Sequence, residues 1–220
     1  MSAFLDYAVA KSKEMRSRRF RRFEELASRL PRPLRILDIG GTNEFWEHAG
    51  WAGRPEVRIT ALNLVAGERV HENIAPVAGD ATDLREYGDG SFDIAFSNSV
   101  IEHLFTWENQ VKMARESMRV GRAYWCQTPN FWFPMEPHFH FPGWQWLPEG
   151  MRVAILRRRK CGFRGPVPDP EKARTSVREV RLLGRREIRR LFPSCELGAE
   201  RFAGLVKSWT AFGGFPAAKP

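Results

Sequence analysis

The chain has no run of about eighteen uncharged apolar residues, so its sequence offers no membrane-spanning helix. Its first residues, MSAFLDYAVAKSKEMRSRR, place the charges after the apolar positions, and an ordinary secretory signal is not expected. Cysteine is scarce: Cys126, Cys161 and Cys195 are odd in number, far apart, and accompanied by neither a CxxC pair nor a His-rich segment. A disulfide framework and structural zinc are therefore not expected, and a reducing cytoplasm is. The dinucleotide fingerprint GxGxxG is missing too. Gly40 and Gly41 follow an early apolar run, but Thr42 stands where the second glycine should be, which argues against a nicotinamide or flavin oxidoreductase. There is no internal repeat and no low-complexity tract.

What is present is a globular composition, 43% hydrophobic and 28% charged over 220 residues, enough for one α/β core with room for an insertion. The net charge of +9 is uneven. Residues 1–35 carry 10 basic and 4 acidic side chains and residues 151–190 carry 14 and 4, whereas residues 36–150 carry 8 and 16. Two basic flanks thus enclose an acidic middle. They suit an anionic substrate or a membrane surface, or form plain solvated helix faces, and nucleic acid is not expected.

Between Lys11 and Leu30, Met15, Phe20, Phe23, Ala27 and Leu30 recur at helical steps among arginines, predicting an amphipathic helix that ends at Pro31 and Pro33. Leu34–Ile39 is an apolar, β-branched run entering the Gly40-Gly41 turn, a strand followed by a helix through Phe45, Trp46 and Ala49. Further strands are predicted at Val57–Leu62, Ile74–Ala78, Phe92–Phe96 and Ala123–Gln127, with a helix through Val111, Met113, Ala114 and Met118 between the last two. Alternating strands and helices imply a parallel sheet. Residues 129–148, rich in proline and aromatics, read as a loop or short-helix lid. A basic helix from Met151 to Lys160 follows, then a mobile Gly/Pro-punctuated linker to about Arg178, a helix over 184–192, and two strands, Glu196–Phe202 and Lys207–Phe212, as an antiparallel hairpin at the sheet edge. This divides the chain into a basic N-terminal helix (1–33), a binding core (34–128), a lid with a basic insertion (129–183) and a closing helix and strand pair (184–220).

Asp38-Ile39-Gly40-Gly41-Thr42 sits where a first strand becomes a first helix, the place where open α/β sheets bind nucleotides. A carboxylate two residues before the glycines suits a ligand bearing an ammonium or sulfonium charge. With VRITALNL, Gly79-Asp80-Ala81 and SFDIAFSNSVIEHL following in order, the chain resembles the class I S-adenosylmethionine-dependent methyltransferases of type 11 from Leu34 to about Asn130. The resemblance implies a Rossmann-like, seven-stranded, mostly parallel sheet with helices on both faces, and S-adenosylmethionine as cofactor. It places Asp38, Gly40, Gly41 and Thr42 at the glycine turn, Asn63 on the ribose, Asp80 and Ala81 on the adenine, and Ser97 and Asn98 beside the methionine end. Asn63 stands where a carboxylate is usual, which forfeits a charge-assisted contact. Some relatives hold a divalent metal with acidic and histidine residues at the position of Glu102 and His103; with Ser99 in place of a further carboxylate, no metal is expected.

The segment Glu136-Pro137-His138-Phe139-His140 follows the predicted fifth strand, where acceptor would meet methyl donor. His138 is the first candidate for a base that takes a hydroxyl proton and His103 the second. Glu136, His140, Trp132 and Trp144 are candidate acceptor contacts, the aromatic rings for stacking on a sugar or aromatic ring. The alternative is a lid core whose histidines cap its turns. The reading is methyl transfer to an unidentified acceptor, a hydroxyl of a small molecule or glycan, against a non-catalytic protein that binds S-adenosylmethionine or a nucleotide.

Overall fold

The computed structural model describes residues 2–217, with side chains from Lys11 onward apart from Ser12. Met1 and residues 218–220, which the predicted end segments include, lie outside the described residues. Helix α1 (Ser2–Ala27) is followed by β1 (Leu34–Ile39), α2 (Asn43–His48), β2 (Val57–Asn63), β3 (Ile74–Ala78), β4 (Phe92–Asn98), α3 (Trp107–Val120) and β5 (Gly121–Pro129). The short strands β6 (Met135–Glu136) and β7 (Phe141–Pro142) come next, then α4 (Glu149–Arg158), α5 (Pro170–Arg178), α6 (Arg185–Leu191), β8 (Glu196–Phe202) and β9 (Leu205–Gly213).

Seven strands form one sheet in the order β3-β2-β1-β4-β5-β9-β8. β1 pairs in parallel with β2, Asp38 opposite Ala61, and β2 in parallel with β3. The near-continuous burial of β1 and β4 is what a strand covered on both faces requires, and it explains why these runs are apolar without alternation. The order reverses between β1 and β4, a topological switch point. β8 and β9 are sheet neighbours joined only by Ala203 and Gly204, both at positive φ, a connection that two antiparallel strands alone can make. The Rossmann-like methyltransferase sheet expected from sequence is the sheet observed.

The chain divides into two compact units, residues up to 96 with 117–125 and from 212 onward, and residues 97–116 with 126–211. In the first, α1 lays Phe23, Leu26 and Ala27 into a core with Ile36, Trp46, Trp51, Ile94 and Phe96. Trp51 Nε1 donates to Glu24 Oε1 at 2.8 Å, which satisfies the indole against the helix. In the second unit a separate core joins Phe139, Trp144, Val153, Leu156, Ala173 and Val177.

The second half of the linker expected before Arg178 is instead α5. Asp169 caps it, Oδ1 accepting from Lys172 N at 2.8 Å, and Pro170 opens the first turn, where its missing N–H costs nothing. Buried Ala173 and Val177 anchor it, so the Gly/Pro punctuation before it masked a helix start. Among the described residues no helix is long and apolar enough to cross a membrane.

Candidate functional site

In the first unit, β1 delivers Asp38 into the interior beneath the glycine turn. Gly40 adopts φ 77°, and a Cβ on Gly41 would lie 2.1 Å from Asp38 Oδ2, so the turn closes over the carboxylate only because both positions are glycine. Burial raises the Asp38 pKa to about 7, opposed by a 2.6 Å hydrogen bond donated by Trp46 Nε1. Thr42 caps α2, its Oγ1 accepting from Phe45 N at 3.3 Å. Asn63, at the end of β2, donates from Nδ2 to Gly41 O at 2.7 Å and so braces the same turn. Asp80 is exposed, with Oδ1 accepting from Thr82 N and Thr82 Oγ1, both at 2.8 Å, and Ala81 is buried beside it. Asp38, Gly40, Gly41, Thr42 and Asn63 therefore meet in one cradle. A cation brought near would favour the ionised form of Asp38, whose charge burial otherwise suppresses.

The Asp38 pKa carries a testable sign. The folded chain holds a proton on Asp38 that the unfolded chain releases near pH 4, so stability from this group falls as pH rises from about 4 to about 7, by up to about 4 kcal/mol, and is level above. Asp38→Asn keeps an acceptor for Trp46 and cannot ionise. Urea unfolding between pH 4.5 and 8 should show a flatter profile for the variant; parallel profiles would refute the assignment.

In the second unit, Ser97 and Asn98 end β4, and Ser97 Oγ is buried without a partner. Ser99 has φ 59°, held by its hydroxyl donating to Gln127 Oε1 at 2.8 Å. A single 3₁₀ turn, Ile101–His103, then buries Glu102 completely. Its Oε2 accepts from Thr128 Oγ1 at 2.9 Å, its Oε1 has no hydrogen-bond partner, and burial lifts its pKa to about 7. His103 is pushed down to about 4 by burial and then by neighbouring His138.

His138 meets this pair. Its ring stands edge-on to His103 with centroids 4.7 Å apart, and Nε2 lies 4.0 Å from Glu102 Oε1. Glu136, itself buried, takes His138 Nδ1 at 2.7 Å on Oε1 and the backbone N–H groups of His138 and Phe139 at 2.7 and 2.6 Å on Oε2. A carboxylate at Nδ1 sets the tautomer with the proton on Nδ1 and the lone pair on Nε2. Ligand atoms of Glu102, His103 and His138 lie within 4.8 Å of one another, so this trio could also hold a metal ion; the sequence offered only the Glu102 and His103 pair, and His138 is the third group that it did not place there.

Beside it is a cavity of about 410 Å³, its walls including Phe131, Trp132, Glu136, Phe139, Trp144 and Arg152. Glu136, Trp132 and Trp144 are thus brought together in the wall of one cavity. His140 is elsewhere: exposed, at φ 47°, its ring against Phe163 at 4.7 Å. Three participants escaped the sequence reading. Trp46 and Thr128 carry no signal beyond helix and strand, and Arg152 was one cation among many.

An open α/β sheet with a switch point and a carboxylate under a glycine turn is the arrangement in which α/β proteins take nucleotide-bearing ligands at their strand ends. Residues 37–123, which contain the cradle and the ordered motifs, match the methyltransferase domain family model, and the cofactor this match implies is S-adenosylmethionine. The chain is 34% identical over 80 residues to an uncharacterised protein of Mycobacterium tuberculosis strain H37Rv, covering 36% of this chain and 26% of that protein, so the match spans about a quarter of that relative. Among solved structures, a "possible exported protein" from Bordetella parapertussis aligns with TM-score 0.54 and 13% identity over 92% of this chain and 67% of that one. A chain in the complex of the Haloferax volcanii Trm112 methyltransferase activator with a methyltransferase aligns with TM-score 0.52 and 13% identity, over 98% and 97%. These two likenesses concern the fold alone.

Proposed function

We propose that this protein transfers a methyl group from S-adenosylmethionine to a hydroxyl of a small molecule or glycan, in the cytoplasm. The observation that carries the reading is the Glu136–His138 pair, a buried carboxylate fixing an imidazole with its Nε2 lone pair available to take a proton. When bound, the cofactor supplies a methyl group already activated by the sulfonium, so the chain's part is to hold, orient and deprotonate. Asp38 offers a carboxylate to the cofactor's positive charge, Gly40 and Gly41 let it approach the backbone, and Asp80 is exposed at the end of β3 for the adenine. His138 receives the hydroxyl proton at Nε2. His103, with a pKa near 4, is too weak a base at neutral pH to be preferred, since the best general base titrates near the working pH. The three free cysteines support a reducing compartment. In the basic flank after the lid Arg164 pairs with Glu179, Arg174 with Glu171 and Arg178 with Glu149, which leaves the exposed run Arg157, Arg158, Arg159 and Lys160 as the stretch suited to an anionic substrate or membrane surface.

The test is calorimetry of S-adenosylmethionine and S-adenosylhomocysteine binding, then methyl release across hydroxyl acceptors. His138→Ala should lower kcat by roughly 10² to 10⁴-fold while cofactor affinity stays within about twofold. Cofactor binding with no transfer to any acceptor would support the non-catalytic alternative, and full activity in the variant would remove His138 as base. A second reading rests on the Glu102–His103–His138 grouping, in which a divalent cation takes the Nε2 lone pair; loss of transfer on chelation, restored by manganese or zinc, would favour it over the base.

A further inference from the structure

The cavity wall of the second unit holds two buried donors without acceptors. Its carboxylates are all engaged: Glu136 by His138 and two backbone N–H groups, Glu187 by Arg181 at 2.6 Å and Gly184 N at 2.9 Å. Arg181 is committed in turn, donating also to Gln110 Oε1 at 2.7 Å. Glu149, one turn before Arg152 on α4, is held by Arg178 through two hydrogen bonds at 2.9 and 3.0 Å. The Arg152 side chain makes no hydrogen bond or ion pair with any described residue, although it lines the cavity and its Nε is buried without an acceptor. A solvated surface arginine has water at that atom. Burial disfavours the Arg152 charge and the nearby Glu149 and Glu136 carboxylates favour it, yet a guanidinium stays protonated, so the wall presents a cation with no carboxylate of the described chain in direct contact. Trp144 Nε1 in the same wall, also buried, is a second donor without an acceptor. Around them the surface is aromatic, with Phe139 and Trp144 stacked at 4.3 Å and 21° and Trp132 largely exposed.

We propose that this cavity binds a ring compound bearing an oxyanion, a carboxylate or a phosphate monoester, with Arg152 as the residue that recognises the anion and the aromatic wall taking the ring. The inference rests on the proposed function only in identifying that compound as the methyl acceptor; the site itself is read from the wall. A bidentate guanidinium contact with an oxyanion, made where water is partly excluded, is stronger and more selective than a neutral hydrogen bond.

The experiment is equilibrium binding to the full chain, by calorimetry and ligand-observed NMR, of benzoate, phenyl phosphate, benzyl alcohol and inorganic phosphate, with S-adenosylhomocysteine present and absent. Benzoate or phenyl phosphate should bind at least tenfold more tightly than benzyl alcohol, and the better of the two names the anion. Arg152→Gln should erase that preference and Arg152→Lys should retain part of it, both with S-adenosylhomocysteine affinity and Tm near those of the unaltered chain. Equal binding of benzyl alcohol, no binding of either anion at millimolar concentration, inorganic phosphate binding as tightly as phenyl phosphate, or an unaltered preference in Arg152→Gln would each overturn the proposal. Because binding is read without turnover, anion recognition with no methyl transfer would fault the proposed function and leave this site standing, and transfer to uncharged acceptors alone would do the reverse.

Discussion

Replacing Glu136 with Ala is expected to destabilise the protein by about 3 to 5 kcal/mol and to abolish methyl transfer. The carboxylate is almost wholly buried and takes three donors, two from the backbone of the turn that follows it and one from His138 Nδ1. Removing it strands two buried N–H groups, each costing about 1 to 3 kcal/mol, and frees the imidazole to adopt either tautomer. Glu136→Gln separates the two effects. Its amide oxygen can still accept from the backbone, but its NH₂ facing Nδ1 forces the proton to Nε2, which deprives the ring of its lone pair there. That variant should lose about 1 kcal/mol of stability and most of kcat, with cofactor affinity unaltered. Chemical denaturation and single-turnover kinetics on both variants decide it. An alanine variant within 1 kcal/mol of the unaltered chain would show that Glu136 holds neither the turn nor the ring.

The second large effect is expected at Gly41. An added Cβ would fall 2.1 Å from Asp38 Oδ2 and 2.4 Å from its Cγ, separations no packed atoms tolerate, so Gly41→Ala has to displace either the buried carboxylate or the turn. The carboxylate has little freedom, tied to Trp46 Nε1 in the core, and the turn is braced from the other side by Asn63. A strain of a few kcal/mol is the order expected from overpacking at a tight site. S-Adenosylmethionine affinity should fall at least a hundredfold by calorimetry. If affinity stays within threefold while the circular dichroism is unaltered, the glycine turn is not where the cofactor approaches the backbone. Gly53→Ala is a poor control because that glycine has positive φ; Gly67, with open space around its Cβ, is the better one.

The parts of this protein legible in its sequence are those that one stretch of chain decides by itself. The apolar runs that became β1, β4 and β5 are buried almost throughout, and a strand so placed has no need of polar alternation, whereas β2 alternates buried Val57 and Ile59 with exposed Arg58 and half-buried Thr60. The glycine turn after β1 could be read because a backbone that must pass over a buried carboxylate admits no side chain. α5 could not: its cap and opening proline were present in Asp169 and Pro170, but the glycine and prolines just before them carried the stronger local signal. Sequence order also set the candidate binding residues Asp38, Asn63 and Asp80 at successive strand ends. It could not say that Asn63 spends its amide on Gly41 O, or that Thr42 caps α2.

Only the tertiary structure decided what these groups can do. Asp38 acquires a pKa near neutrality because the folded core withdraws water from it, and Trp46, eight residues on, supplies its one side-chain hydrogen bond. Glu102 and His103 open an unremarkable short turn until His138, oriented by Glu136, is folded against them. Arg152 is one arginine in a basic flank until the carboxylates around it are seen to be engaged elsewhere. Burial and long-range pairing are properties of residues distant in the chain, and no local pattern encodes them; the periodicity of side chains along a strand or helix is local, and that much the sequence determined by itself.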